Sequence, residues 1–250
     1  MQTPRPAQPG AQPGIVPRRL LDKDALTGAA LGLVAGFVNA AGFVALAGLF
    51  TSHVTGNLVL LGAELVGTRS GLIAKTLALP VFVLGVAATR LAALALERAG
   101  VAPLRPLLLV QATLLAALLA AGVALSPVGS PDTAKSIFAG LLGVVAMSVQ
   151  TALARLALPN LPATTAMTTN IAQVVIDAVD LLRDSPPDTA EHAAARLRRT
   201  LPAVLAFAAG TLAGAFGAAA LSFWCLLAPI AALLCVAAAV GGPERSGLPG

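Results

Sequence analysis

Thr51-Ser52-His53-Val54-Thr55-Gly56-Asn57-Leu58 is a polar stretch at a point where a hydrophobic chain needs only a tight turn. It also recurs. From Thr164 the chain reads Thr-Thr-Ala-Met-Thr-Thr-Asn-Ile, which matches Thr51 with Thr164, Thr55 with Thr168 and Asn57 with Asn170. Ser52 and Thr165, Val54 and Met167, and Leu58 and Ile171 are conservative matches, whereas His53 and Gly56 have no counterpart.

The chain around these two stretches has 250 residues, 57% of them hydrophobic and 11% charged, against about 25% charged in soluble proteins. Mean hydropathy is +0.87. Nearly uncharged runs of about 20 residues suit helices that cross a hydrocarbon core about 30 Å thick. Leu-Ala-Gly runs lack the alternation of a membrane barrel. The chain is therefore expected to be an all-α polytopic integral membrane protein with the lipid bilayer as its partner. The net charge of +5 comes from Lys and Arg scattered at segment ends, which reads as topology information and not as a nucleic-acid surface. Cys225 and Cys235 lie ten residues apart in one apolar segment, about 15 Å apart along a helix, too far for a disulfide. No metal-ligand or cofactor spacing is present, and none is expected to be bound.

Upstream of Thr51, residues 1–23 are rich in Pro, Gly and Gln and read as a disordered cytoplasmic tail. An uncharged span from Ala25 to Gly48 follows. Its Gly28, Gly32 and Gly36 form a small-residue stripe that Asn39 continues, so Asn39 is expected to face protein. Such stripes also offer a face for a homodimer. Downstream come a short apolar run to Val66, with Arg69 and Lys75 taken as its charged exit, and spans at about 76–96 and 104–125. These make a first membrane repeat over 24–126. Pro127 to Lys135 is a turn-rich connector.

The second repeat, 136–240, follows the same order. A span from Ser136 to Leu158 carries Gly143 seven residues before Gln150, as Gly32 stands seven before Asn39. The Thr164 stretch and a short helix to Leu182, with Asp177 and Asp180, come next. A charged loop is expected over 183–199, then spans at about 201–220 and 224–240, with Phe207 and Gly210 at the spacing of Phe82 and Gly85. Residues 241–250 form a polar tail. Two such repeats give six full spans if each short helix is re-entrant, with inverted halves, or eight if each crosses. Six is the expectation, because about 16 residues from Thr51 are marginal for a crossing and transporters have such repeats.

Gly-Phe-Val-Asn-Ala (36–40) followed by Phe-Thr-Ser-His-Val-Thr-Gly-Asn (50–57) resembles the signature of the YoaK family, bacterial membrane proteins gathered as a domain of unknown function (DUF1275). Ala-Met-Ser-Val-Gln-Thr-Ala (146–152) resembles that family's second signature. The resemblance spans about 24–240. It implies about six spans in a bacterial cytoplasmic membrane and no established substrate. The second half departs from the family pattern, with Thr168-Thr169 where a Thr-Gly pair is usual, which implies a stiffer second break.

Capping accounts for one Thr at a helix start, not for two matched octets. Thr51, Thr55, Asn57, Thr164, Thr168 and Asn170, with Asn39 and Gln150 in the spans, are therefore the expected contacts of a small polar or anionic solute. In this reading Gly56 lets the backbone break, and each short helix presents its positive end. Asp177, a carboxylate in an apolar helix, and His53 are the candidates for proton coupling. No nucleophile and base pairing supports catalysis. A small-solute permease with a cytoplasmic N-terminus is the expected function, and a membrane-embedded binding or scaffold protein the alternative.

Overall fold

A computed structural model describes residues 23–67, 70–126, 130–158, 166–183 and 186–240. Residues 1–22 of the tail expected over 1–23, the tail over 241–250, part of the connector, Arg69 and Thr164 lie outside them, and Lys23 opens the first helix. The described residues are helical throughout, apart from short connections. The helices are α1 (Lys23–Ala45), α2 (Val54–Val66), α3 (Leu72–Arg98), α4 (Leu104–Leu125), α5 (Ala134–Leu156), α6 (Met167–Leu182), α7 (Pro187–Leu221) and α8 (Leu227–Val240), with a 3₁₀ turn at Ser222–Leu226 before α8. Leu- and Ala-rich runs favour this conformation, and a helix is the one open-chain structure that satisfies its own backbone in an apolar medium. Among the described residues five segments are long and apolar enough to cross a membrane, the last being Pro187–Val240.

That last segment does not run straight. Ser222 has φ 50° and ψ −140°, and a Cβ placed on Gly217 would sit 3.0 Å from Cβ of Cys225, so α8 doubles back from the end of α7. The loop expected over 183–199 is a correction: from Pro187 onward it is helical, the opening of a 35-residue helix about 52 Å long. Pro at the first position loses no hydrogen bond. The Ala, Glu, Leu and Arg residues after it are strong helix formers, so charge density there marks a polar helix, not a loop.

Glycines set the closest approach. A Cβ on Gly32 would sit 2.7 Å from the carbonyl oxygen of Ala203, and one on Gly36 would collide with that of Phe207. In return, Gly210 and Gly214 of α7 lie on the carbonyls of Leu33 and Phe37. The small-residue stripe of α1 is thus covered by α7 of the same chain, in a parallel pairing. α3 runs parallel to α5, with Gly71 N donating to Asp132 Oδ2 at 3.2 Å and Gly85 against Ser148. α4 runs antiparallel to α5, and α8 packs on α4 and α1. Each short helix lies on the long helix that follows it, α2 on α3 and α6 on α7.

The first break turns at Ala47 (φ 51°) and Gly48 (φ 79°). Gly56, expected to permit the break, is instead an ordinary α2 residue. A Cβ there would press on the Phe50 ring at 3.0 Å, so its bareness makes room for an aromatic. After the turn the chain folds back along α1: Thr51 Oγ1 donates to Val38 O (3.3 Å) and Ser52 N to Asn39 Oδ1 (3.0 Å). α2 then carries it outward again, and Gly71, which opens α3, returns to within contact of Ala47 O.

Candidate functional site

Asn39 and Asn57, both buried, hold this break together. Asn39 Oδ1 accepts from the N–H groups of Ser52 and His53, at 3.0 and 3.4 Å. The Asn57 amide pairs with both backbone groups of Phe50, accepting from its N–H at 2.9 Å and donating to its carbonyl at 2.8 Å. Backbone that has left the helix thereby keeps hydrogen-bond partners inside an apolar protein, where an unmet group costs about 1–3 kcal/mol.

Thr51 is fully buried. Its methyl group lies 2.8 Å from where a Cβ would stand on Gly42 of α1 and on Gly143 of α5, so one side chain fills notches on helices from both halves. His53 is half-buried. Its Nδ1 meets Ser52 Oγ at 3.2 Å, and its ring stands edge-on to Phe207 of α7 at 5.7 Å. Phe43 and Phe50 extend this aromatic group, 4.7 Å apart.

The expected residues do not all converge. Thr55 and Thr168 are exposed on α2 and α6, away from the buried Val54 and Asn57 and the buried Met167 and Asn170. Asn170 Nδ2 points at Met167 Sδ, 3.7 Å away. Gln150 is buried, donating to Leu31 O of α1 and accepting from Gln111 Nε2 of α4, each at 2.7 Å.

Asp177 is completely buried. Its Oδ1 accepts from Arg196 Nε (3.1 Å), Arg196 Nη2 (2.7 Å) and Gln173 Nε2 (2.8 Å). That geometry ties α6 to α7. The first half carries a matching tie, since Glu64 stands seven residues after Asn57 as Asp177 stands seven after Asn170. Glu64 Oε1 lies 3.4 Å from Lys75 Nζ, which also donates to Ser70 O at 2.9 Å. Lys75 is 2% exposed, so the residue read as a charged exit is a buried partner. The equal spacing was visible in the sequence. Gln111 has no glycine at the spacing that singled out Asn39 and Gln150; the signal for it was an amide inside the apolar run of α4.

Two small cavities flank the bundle. One is lined mostly by apolar residues from α1, α4, α7 and the 3₁₀ turn, and one by Leu46, Leu49, Gly71, Ala74, Lys75, Pro131 and Ser136, each with a volume of only about 10 Å³, space for little more than one water. Thr51, Asn57 and Asn170 line neither. Among the described residues no three His, Cys, Asp or Glu side chains gather as a metal site.

An all-helical bundle with apolar helices of membrane-crossing length, and a backbone break tied by buried amides, defines a helical protein of the membrane type. The chain belongs to the DUF1275 family, described as proteins of unknown function, whose profile matches residues 27–239. No curated protein and no solved structure matches it.

Proposed function

We propose that this protein is a small-solute permease of six crossings, built from two inverted halves with their N-terminus in the cytoplasm. The observation that carries the reading is the return of the chain at Thr51–His53: it leaves α1, folds back beside Val38 and Asn39, and comes out through α2 to the end it left. Non-helical backbone at membrane depth is tolerated only inside protein or along a cavity, and transporters place solutes at such interruptions. The pairing of helices supports the halves. α1 lies on α7 as α5 lies on α3, and α4 on α5 as α8 on α1. α1 and α5 run in opposite directions, which suits inversion.

Charge supports the orientation. Lys75 and Lys135 fall at one face, with Lys75 buried and paired, whereas Arg98, Arg105, Arg155, Arg196, Arg198 and Arg199 fall at the other, as the positive-inside tendency favours. In this reading a small polar solute lies between Asn39 with the Ser52–His53 backbone and Gln150 with Asn170. Thr51, wedged between Gly42 and Gly143, closes the path between the halves. Thr55 and Thr168, being exposed, leave the set.

Two experiments test it. With Cys225 and Cys235 replaced, single cysteines at Gly48, Ser70 and Ser130 should be labelled from outside and cysteines at Arg98 and Arg155 from the cytoplasm; opposite sidedness of residues 48 and 70 excludes the re-entrant arrangement. A thermal-shift screen of metabolites on purified protein, followed by vesicle uptake of any hit, tests transport. Binding without uptake in any vesicle orientation would make the chain a non-transporting binder.

A further inference from the structure

Gln111 holds the one buried side-chain acceptor among the described uncharged residues that has no partner: its Oε1 is unbonded and the residue is fully buried. Its orientation follows from its neighbours. Leu31 O can only accept, so Gln150 must turn its NH₂ group toward it, at 2.7 Å. Gln150 Oε1 then faces Gln111 and accepts from its Nε2, also at 2.7 Å. The relay from α1 through α5 to α4 therefore ends on a carbonyl oxygen, and reversing either amide would set two acceptors against each other.

The matching helix of the other half has no amide. α8 stands to α1 and α4 as α4 stands to α5 and α8, and its run Leu227–Val240 contains no amide, hydroxyl or charged side chain. A buried, half-satisfied amide in an apolar helix carries a desolvation penalty for its open oxygen, while its NH₂ group serves Gln150 Oε1. Its open atom invites a donor.

We propose that Gln111 is a solute-binding residue, and that its Oε1 accepts a hydrogen bond from an N–H or O–H group of a small uncharged solute. This rests on the permease reading and narrows it. An anion without an N–H or O–H group, such as acetate or nitrate, has no donor to offer this atom. A cation would find here only amide and peptide oxygens, with no carboxylate in the relay.

The experiment uses full-length protein in lipid nanodiscs, with acetamide and glycerol as neutral donors, ammonium chloride as the cation, and sodium acetate and sodium nitrate as anions. Thermal unfolding should show stabilisation by a neutral donor. Gln111→Leu and the closer-fitting Gln111→Met should unfold only a few degrees below wild type without probe, the loss of the bond to Gln150 Oε1, yet bind that donor at least about tenfold more weakly, the worth of one hydrogen bond. Stabilisation by anions or ammonium alone, by no probe at all, or to an equal degree in either variant overturns the assignment. So does a large loss of stability in both variants with the probe response intact, which would make Gln111 structural. Solute-driven swelling of proteoliposomes separates the two readings. Binding that depends on Gln111 with no flux removes the permease and leaves this site; flux unchanged in both variants removes the site and leaves the permease.

Discussion

The two halves place a carboxylate at the same point of the short helix and a cation on the next long helix, but they surround the pair differently. Lys75 is shut inside the protein beside a Glu64 that keeps some exposure, whereas Asp177 is shut inside beside an Arg196 whose side chain is 47% exposed. The long helices differ in the same spirit. α7 meets α1 through backbone on backbone at four glycines, whereas α3 meets α5 at Gly85 through the side chain of Ser148. The two pairs and the two seams thus share a kind of contact and not its residues. A helix that touches its neighbour's backbone has no side chain that can yield, so the α1–α7 seam is the stiffer of the two.

The largest expected effect tests that seam. Gly36→Leu should destabilise well beyond the about 1–3 kcal/mol usual for overpacking, because the new side chain meets the Phe207 backbone. Size-exclusion chromatography should then find little monodisperse protein. Gly85→Ala should be milder, and adding Ser148→Gly should restore most of the loss. Failure of that rescue would mean that the two seams are equally rigid.

Next come the ion pairs. Arg196→Leu should lower the thermal midpoint more than Lys75→Met does, because it leaves the fully buried Asp177 with Gln173 alone, while Glu64 keeps partial exposure and the Ser70 N–H at 3.1 Å. A buried charge without its partner is the expensive case. The reverse order in calorimetry would show that burial of the cation, not of the anion, decides the cost.

Asn57→Ala should cost about 1–3 kcal/mol for each Phe50 backbone group left unpaired. Amide hydrogen exchange should accelerate at Phe50 and its neighbours; protection equal to wild type would deny Asn57 its part in holding the break. The smallest effects belong to Thr55→Val and Thr168→Val. Exposed on their helices, they should change stability by less than about 0.5 kcal/mol and leave any solute binding untouched, and a clear loss of binding would return them to the site.

The Asn57 contacts also show where the sequence was legible and where it was not. That Asn39 and Gln150 face protein followed from the glycines on their stripe, because a helix fixes which residues share a face. What each amide bonds did not follow, since partners such as Leu31 O and Gln111 come from other helices. Lys75 misled because a lysine beside Gly67 and Arg69 carries the same letters whether it ends a segment or turns inward to Glu64. The stretch from 183 to 199 misled because charge was weighed over helix propensity.

Composition and run length alone determined that the chain is helical and apolar enough for a membrane, since a backbone without water must bond to itself. The Thr51 stretch located the first interruption. Tertiary structure alone decided that α7 covers Gly32 and Gly36 of α1, that Thr51 bridges α1 and α5, and that Gln111 ends a relay with an open oxygen. Each of these depends on which surfaces meet across helices far apart in sequence, and that is set by the packing of the whole bundle, which no local pattern encodes.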